Sequence, residues 1–416
     1  MQIAFVEDNF LRWELGDAFR RSNVTKEFLL TQWESFIDTY AAELTRRGHA
    51  CAKFVPSFET KRETVYQHDL GHKVVVIPCG DSVFDLLKRL DWRLGAVRFT
   101  QRLMKENFVK NCDVLHYHSI YSSFFLASAC LPKSIKRTVQ YSGGAFPGYV
   151  GSIRGAAVSR VLRSSIGSCH GVLVNEPNAL TRGQIAFLKR NEGVPDTKFL
   201  PFAGVAIDPK KFRDEGKEPS RTILAIKNDA LVMVSVGGIV DETPDGSNMN
   251  KNQFALIRIF SLLSRILPAA ELHIVGGGTA INRLRQLVKD MDLTARVHIH
   301  GVVPHDSVPA YLSAADLVAV PIGVFDFYGG TAILESFACN RPVCAFSLGG
   351  AGSFDAMGGF IMDPNSNLSA RALAERLSNS EYLKMKAEEG RVVVEGYLKD
   401  KVISQLENIL SDVAGS

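Results

Sequence analysis

Twice along the chain, short apolar runs alternate with longer segments of helical period, and that alternation admits few folds. In the first half the runs are IAFVE (3–7), KVVVIP (73–78), DVLHYH (113–118), RTVQYS (137–142) and GVLVNE (171–176). The stretch from Thr25 to Arg47 carries helical spacing at Phe28, Leu29, Trp33, Phe36, Ile37, Tyr40 and Leu44, with Thr25 as the expected N-cap and Gly48 as the stop. A polar segment, DPKKFRDEGKEPSR (208–221), breaks the pattern and reads as a linker. The alternation then restarts with LVMVSVGG (231–238), ELHIVGGG (271–278), RVHIHG (296–301), DLVAVP (316–321) and RPVCAF (341–346). Helices are expected between these runs near 251–265, 280–290, 306–314 and 331–339, with a last one near 399–412. Strands separated by helices imply a parallel sheet covered on both faces. With 416 residues the chain exceeds what one core organises, so two doubly wound α/β domains are expected, with a cleft where the carboxyl ends of the sheets face each other.

Composition narrows the class. Hydrophobic residues are 46% and charged residues 22%, which excludes a disordered or fibrous chain. No apolar run reaches the ~20 residues that a membrane-spanning helix needs. The opening MQIAFVEDNF lacks a basic region before a long apolar stretch, so no signal peptide is expected. Seven cysteines without a CxxC pair fit reduced thiols in a cytoplasmic protein. His116 with His118, and His298 with His300, have no cysteine or acid at ligand spacing, so no metal is expected. Residues 1–200 hold 27 basic against 19 acidic side chains, a net +8, while residues 201–416 hold 21 against 25, a net −4. The basic residues are not interleaved with an aromatic platform, which argues against nucleic acid as a partner.

The glycine-rich turns carry the chemistry. VGGGTAINRL (275–284) is a strand, a turn and a helix start, suited either to an anion at bare amides or to a tight turn with no ligand. A dinucleotide fingerprint would need a third glycine where Ile281 stands, and an acid about 20 residues on. In DFYGGTAILESFACNRPV (326–343), Gly329 and Gly330 precede Thr331 and an apolar helix that contains Glu335. A carboxylate among apolar neighbours needs a partner. Either the vicinal hydroxyls of a ribose supply it, with phosphates on the glycine amides, or a nearby arginine does. Lys251 stands just before a helix that follows the strand ending at Gly237 and Gly238, where an ammonium could neutralise a diphosphate.

These segments resemble, in order, the donor domain of retaining glycosyltransferases of family four (glycosyltransferase group 1) with the GT-B fold. The resemblance rests on VSVGG, Lys251, LHIVGGG, VHIHGVV, YLSAADLVAVP, YGGTAILESFACNRPV and GGFIMDP (359–364). RRGHA (46–50), DVLHYH and LPFAGVAIDPKKF (200–212) are similar to the family's acceptor domain and interdomain segment. The resemblance implies an acceptor-binding domain over 1–207, the linker 208–221, a donor-binding domain over 222–394, and a final helix, about 395–416, that crosses back to the first domain. It implies sugar transfer from a nucleotide diphosphate sugar to an acceptor hydroxyl with retention, no cofactor and no essential metal. Donor binding falls on Gly237, Gly238, Lys251, Gly276, Gly277, Val302, Val303, Gly329, Gly330, Thr331 and Glu335. Glu335 would hold the ribose and Val302 and Val303 would border the base. Lys251, Tyr141, His118 and Asp326 stand at the catalytic positions, and a donor phosphate oxygen would accept the acceptor's proton. Three departures stand out. Gly238 occupies the place of an arginine, Phe327 that of a glutamate, and Tyr141 or Gln140 that of a histidine. A module that binds a nucleotide sugar and regulates or scaffolds a partner is therefore the alternative reading.

For the acceptor, a glycan, a lipid-linked sugar or a small molecule, the segment between Asn9 and Thr25 offers Arg12 and Trp13. They suit stacking on a sugar and holding an anion, or an ordinary surface helix. Tyr149 lies in the glycine-rich loop SGGAFPGYVGS (142–152). Six basic residues in 85–105 are either the solvated face of a packed helix or a peripheral contact with the anionic inner surface of a membrane.

Overall fold

A computed structural model describes residues 1–7, 26–31, 35–79, 88–118, 123–140, 153–174, 186, 189, 195–239, 252–321, 331–346, 359–362 and 367–416. The chain divides into two compact units. The first comprises Met1–Pro177, Thr181–Ala206 and Asp400–Ser416, and the second Asn178–Leu180 and Ile207–Lys399.

The first unit is built on eight strands: β1 (Gln2–Val6), β2 (Ala50–Ser57), β3 (Thr64–Gln67), β4 (Lys73–Pro78), β5 (Val114–Tyr117), β6 (Arg137–Gln140), β7 (Gly171–Val174) and β8 (Phe199–Pro201). Their order is β3-β4-β2-β1-β5-β6-β7-β8. All neighbours are parallel except β3, which pairs antiparallel with β4 at the edge. Apolar helices cover both faces. On one, α2 (Lys88–Leu103) buries Ala96, Phe99 and Leu103 against Phe54, Ile77 and Leu115. On the other, α1 (Phe36–Arg46) and the terminal helix α8 (Lys399–Gly415) bury Ile37, Tyr40, Leu406 and Leu410 against Ile3, Phe5 and Val114. Each such side chain contributes about 1.5–3 kcal/mol on burial. Glu407 of α8 fastens the helix through Arg47 (2.7 Å) and His49 (2.6 Å).

The second unit holds β9 (Leu231–Val236), β10 (Ala270–Val275), β11 (Val297–Gly301), β12 (Leu317–Val320), β13 (Val343–Phe346) and β14 (Gly359–Met362). The order β11-β10-β9-β12-β13-β14 is wholly parallel. It is the doubly wound 3-2-1-4-5-6 arrangement, whose switch point lies between β9 and β12. Its helices include α3 (Lys217–Ile223), α4 (Gln253–Ile266), α5 (Ile281–Asp290), α6 (Val308–Ala314) and α7 (Thr331–Ala338).

Two expectations change. The single helix from Thr25 to Arg47 is instead Lys26–Thr31 followed by a separate α1. Ser35 starts α1 with a capping box to Asp38, which satisfies amides that a continuous helix would have bonded internally. Gly48 does stop it, at φ +92°, with His49 N–H donating to Leu44 O and Gly48 N–H to Thr45 O. The segment 208–221 is not free chain, because it enters α3 and is pinned within the second unit. Asp208 binds Lys399 (2.5 Å) and Asp214 binds Arg341 (2.9 Å). The buried Arg221 reaches Asp316 (2.8 Å). The basic segment 85–105 contributes α2, whose apolar face is spent in the core, while Arg102 donates to the Pro78 carbonyl. No helix among the described residues is long and apolar enough to cross a membrane.

Candidate functional site

In the second unit, the loops leaving β9, β10 and β11 are stitched together at the carboxyl end of the sheet. Gly237 N–H donates to Val275 O (2.9 Å), Ile239 N–H to Gly277 O (2.9 Å) and Gly276 N–H to Gly301 O (2.7 Å). This crowding explains most of the glycines without a ligand. A Cβ on Gly276 would lie 2.0 Å from Gly237 O, and one on Gly278 would lie 2.0 Å from Ile239 O; both residues have φ in the left-handed region, +138° and +156°. A Cβ on Gly277 would meet Val302 Cγ2 at 2.6 Å. Gly238 differs. Among the described residues the nearest atom to its Cβ position is Gly277 O at 4.0 Å, so none of them crowds a side chain there.

Across the switch point, β12 leads into α7. In a parallel crossover from β12 to β13 the helix starts at the carboxyl end of the sheet. Its first residue is Thr331, and its early amides have no partner within the helix. Glu335 lies one turn further on and is only 4% exposed. Among the described residues no arginine meets it. Its one ion-pair partner among the described residues is His305, with Nε2 3.5 Å from Glu335 Oε1, and that imidazole stands edge-on to Phe212. Arg341, the nearest arginine in sequence, is occupied by Asp214 and the Ser313 carbonyl. His305 therefore brings the loop after β11, with the exposed Val302 and the half-buried Val303, against α7. Sequence reasoning passed over His305, although its place four residues after a strand end is a signal that could have found it.

Asn252 caps α4 by accepting from Ala255 N–H (2.9 Å), and its own N–H donates to Pro321 O at the end of β12 (2.8 Å). This ties the start of α4 to the switch point and sets Lys251 one residue before the cap. Lys251 itself lies outside the described residues, as do Asp326, Gly329, Gly330, Arg12, Trp13, Tyr141 and Tyr149.

His118 belongs to the first unit. It follows β5, its N–H donates to Val6 O (3.1 Å), and its ring leans on Phe36. Beside it, Glu7 directly follows β1 and belongs to a buried network that sequence reasoning missed. Lys53 Nζ sits 2.5 Å from Asp38 Oδ1 and 3.3 Å from Glu7 Oε2, while His72 Nε2 is 2.8 Å from Asp38 Oδ1. Burial opposes the charge on Asp38, but Lys53 and His72 outweigh it and hold the carboxyl well below its usual range. Lys53 is raised in turn, with burial opposing and Asp38 and Glu7 prevailing.

Residues 244–380, all within the second unit, match the model of the family described as glycosyl transferases group 1. The chain is related to the group 1 glycosyltransferases. A GDP-mannose-dependent alpha-(1-6)-phosphatidylinositol monomannoside mannosyltransferase of Mycolicibacterium smegmatis is 35% identical over 106 residues, 24% of this chain and 28% of that protein. The matched stretches span between 19% and 47% of the curated relatives' own length. Over the full chain the likeness is structural. Sucrose-phosphate synthase from Thermosynechococcus elongatus superposes with a TM-score of 0.73 at 17% identity, covering 100% of this chain and 99% of that one. The Anabaena protein HepE in complex with UDP and glucose gives 0.67 at 15%, covering 99% of each chain. The fold of this group 1 relative is GT-B. Of the three departures from the family pattern, Gly238 is described, Phe327 lies outside the described residues, and of the third pair Tyr141 lies outside them while Gln140 ends β6 and donates to Gly204 O (3.1 Å).

Proposed function

We propose that the protein transfers a sugar from a nucleoside diphosphate sugar to an acceptor hydroxyl, with retention of anomeric configuration and without an essential metal. The observation that carries this reading is Glu335, a buried carboxylate without an arginine among the described residues, one turn inside a helix that opens at the switch-point end of a 3-2-1-4-5-6 sheet. A ribose offers that carboxylate two hydroxyl donors. The helix start at Thr331, with Gly329 and Gly330 before it, offers amides and a positive dipole end to the diphosphate. Lys251 adds the cation that stabilises charge growing on the departing diphosphate. A donor phosphate oxygen accepts the acceptor's proton, with His118, Tyr141 and Asp326 as the remaining catalytic candidates. Gly237, Gly238, Gly276 and Gly277 line the donor, and Val302 and Val303 border its base. The match of 244–380 to group 1 glycosyltransferases supports a donor site in this unit.

The first unit takes the acceptor, a glycan, lipid-linked sugar or small molecule, through Arg12, Trp13 and Tyr149. Contact with anionic lipid through 85–105 would be electrostatic, because the apolar face of α2 is already used in the core. The test is release of nucleoside diphosphate from an array of nucleotide sugars by the purified protein. Glu335→Ala should weaken donor binding about a hundredfold, from two charge-assisted hydrogen bonds that together contribute about 3 kcal/mol. Absence of both turnover and nucleotide binding would remove the proposal. Gly238, which leaves the diphosphate one cation short, favours a second reading, a donor-binding module without transfer. Tight nucleotide binding with no turnover would select it.

A further inference from the structure

A cluster of three histidines and a carboxylate lies on one face of the β10–β11 edge. Leu272, Ile274 and Val297 point into the core of the second unit. The alternate residues Glu271 and His273 of β10, and His298 of β11, share the opposite face, with His273 and His298 paired in register. His273 Nε2 is 3.4 Å from Glu271 Oε2, and His298 Nε2 is 3.7 Å from the same oxygen. All three ligand atoms lie within 4.8 Å of one another. A tetrahedral ion bound at about 2.1 Å to each ligand holds its ligand atoms about 3.4 Å apart, so the set needs only a small adjustment to close on one ion.

A second observation points the same way. His273 is 4% exposed, and its Nε2 has no hydrogen-bond partner although it faces the Glu271 carboxylate. Its other nitrogen is occupied. In the tautomer that leaves Nε2 unprotonated, His273 Nδ1–H donates to His300 Nε2 (3.0 Å), and His300 Nδ1 is 3.4 Å from the Tyr311 hydroxyl. A ligating imidazole whose second nitrogen is fixed in this way is oriented for metal.

We propose that Glu271, His273 and His298 form a binding site for a divalent transition metal of the zinc type, with the fourth position open to water. Two imidazoles and one carboxylate are a donor set that zinc accepts, and the ion would tie edge strand β11 to β10. The other cluster of this composition among the described residues, Asp38 with His68 and His72, is unsuited because the Lys53 ammonium already occupies Asp38 at 2.5 Å.

The experiment uses the full chain, stripped with chelator and titrated with ZnCl2 by calorimetry, with melting temperature as a second readout. One equivalent of Zn2+ should bind with a dissociation constant in the micromolar range or tighter, and the melting temperature should rise. His298→Ala and Glu271→Gln, at partly exposed side chains, should each weaken binding at least tenfold and remove the rise while leaving the metal-free melt near that of the parent. Nucleotide binding should be the same with and without Zn2+, which separates this site from the donor site. Absence of a stoichiometric site, or binding unchanged in both variants, would overturn the proposal.

Discussion

The two sheets share a topology and differ in what stands at the place the topology favours. Stripped of β3, β7 and β8, the first sheet reads β4-β2-β1-β5-β6, and its order reverses between β1 and β5 as that of the second reverses between β9 and β12. At the first switch point the chain leaves β1 through Glu7, whose carboxylate is buried with Lys53 and Asp38. At the second it leaves β9 through Gly237 and Gly238, which carry no side chain. A diphosphate needs close approach to amides, and the proposed function assigns that approach to the second end. In the first, buried charges satisfy one another, and the site's polarity is spent on holding α1 and β2 in place. Strand order fixes where a ligand could sit, and the one or two residues after the strand decide whether it does.

The largest test of this contrast removes the cation of the first network. Lys53 is 3% exposed and stands between two carboxylates, so Lys53→Met removes the ammonium that offsets two buried like charges. Such a loss costs about 3–5 kcal/mol. Denaturant titration of the full chain should show this loss, and nucleoside diphosphate affinity measured well below the melting point should stay within about twofold. A loss below about 1 kcal/mol would mean that water reaches the network and that the two switch points differ less than the structure indicates.

The same contrast shows what a sequence can and cannot disclose. KVVVIP is β4 residue for residue, and the apolar runs of the second half locate β9 to β13, because buried parallel strands write themselves as continuous apolar stretches. β2 was unrecognised because ACAKFVPS contains Lys53 and Pro56, and only its partners on α1 and β1 make a buried lysine acceptable. The glycine turns were legible. Which of them need glycine for packing, and which leaves space, depends on backbone atoms of a neighbouring strand. Glu335 stood out because its sequence neighbours are apolar. Glu271 did not, since its imidazole partners are one strand away in space, and His298 is 27 residues away in sequence.

A smaller effect sharpens the second switch point. Gly238 stands where relatives by resemblance carry an arginine, its φ is outside the left-handed region, and no described residue crowds its Cβ position. Gly238→Arg should therefore fold normally and supply a second cation to the diphosphate. One positioned donor contributes about 2.7–4 kcal/mol to a transition state in a preorganised site. An introduced, unsupported side chain recovers part of that, so turnover should rise about tenfold with nucleotide affinity raised in parallel. A fall in both would show that the space at Gly238 is filled by the donor itself, and that the glycine is there to admit it.

The smallest effect belongs to the first unit and depends on pH. His116, on β5, is wholly buried; its Nδ1 bonds the Thr138 hydroxyl (2.9 Å), and its Nε2 has no hydrogen-bond partner. Burial, with His118 adding to it, pushes the ring down to about 3. In the unfolded chain it titrates near 6.5. Between these values the unfolded state binds one more proton than the folded state. The contribution of His116 to stability is therefore complete above pH 6.5 and is lost progressively as pH falls toward 3, at no more than about 1.4 kcal/mol per pH unit. Unfolding free energies at pH 6.5, 5.5 and 4.5 avoid most of the carboxylate range. His116→Gln, which can still bond Thr138, should flatten that slope by up to one proton's worth. An unchanged slope would show that the folded chain already protonates His116, and that this face of the first sheet is wetter than its burial implies.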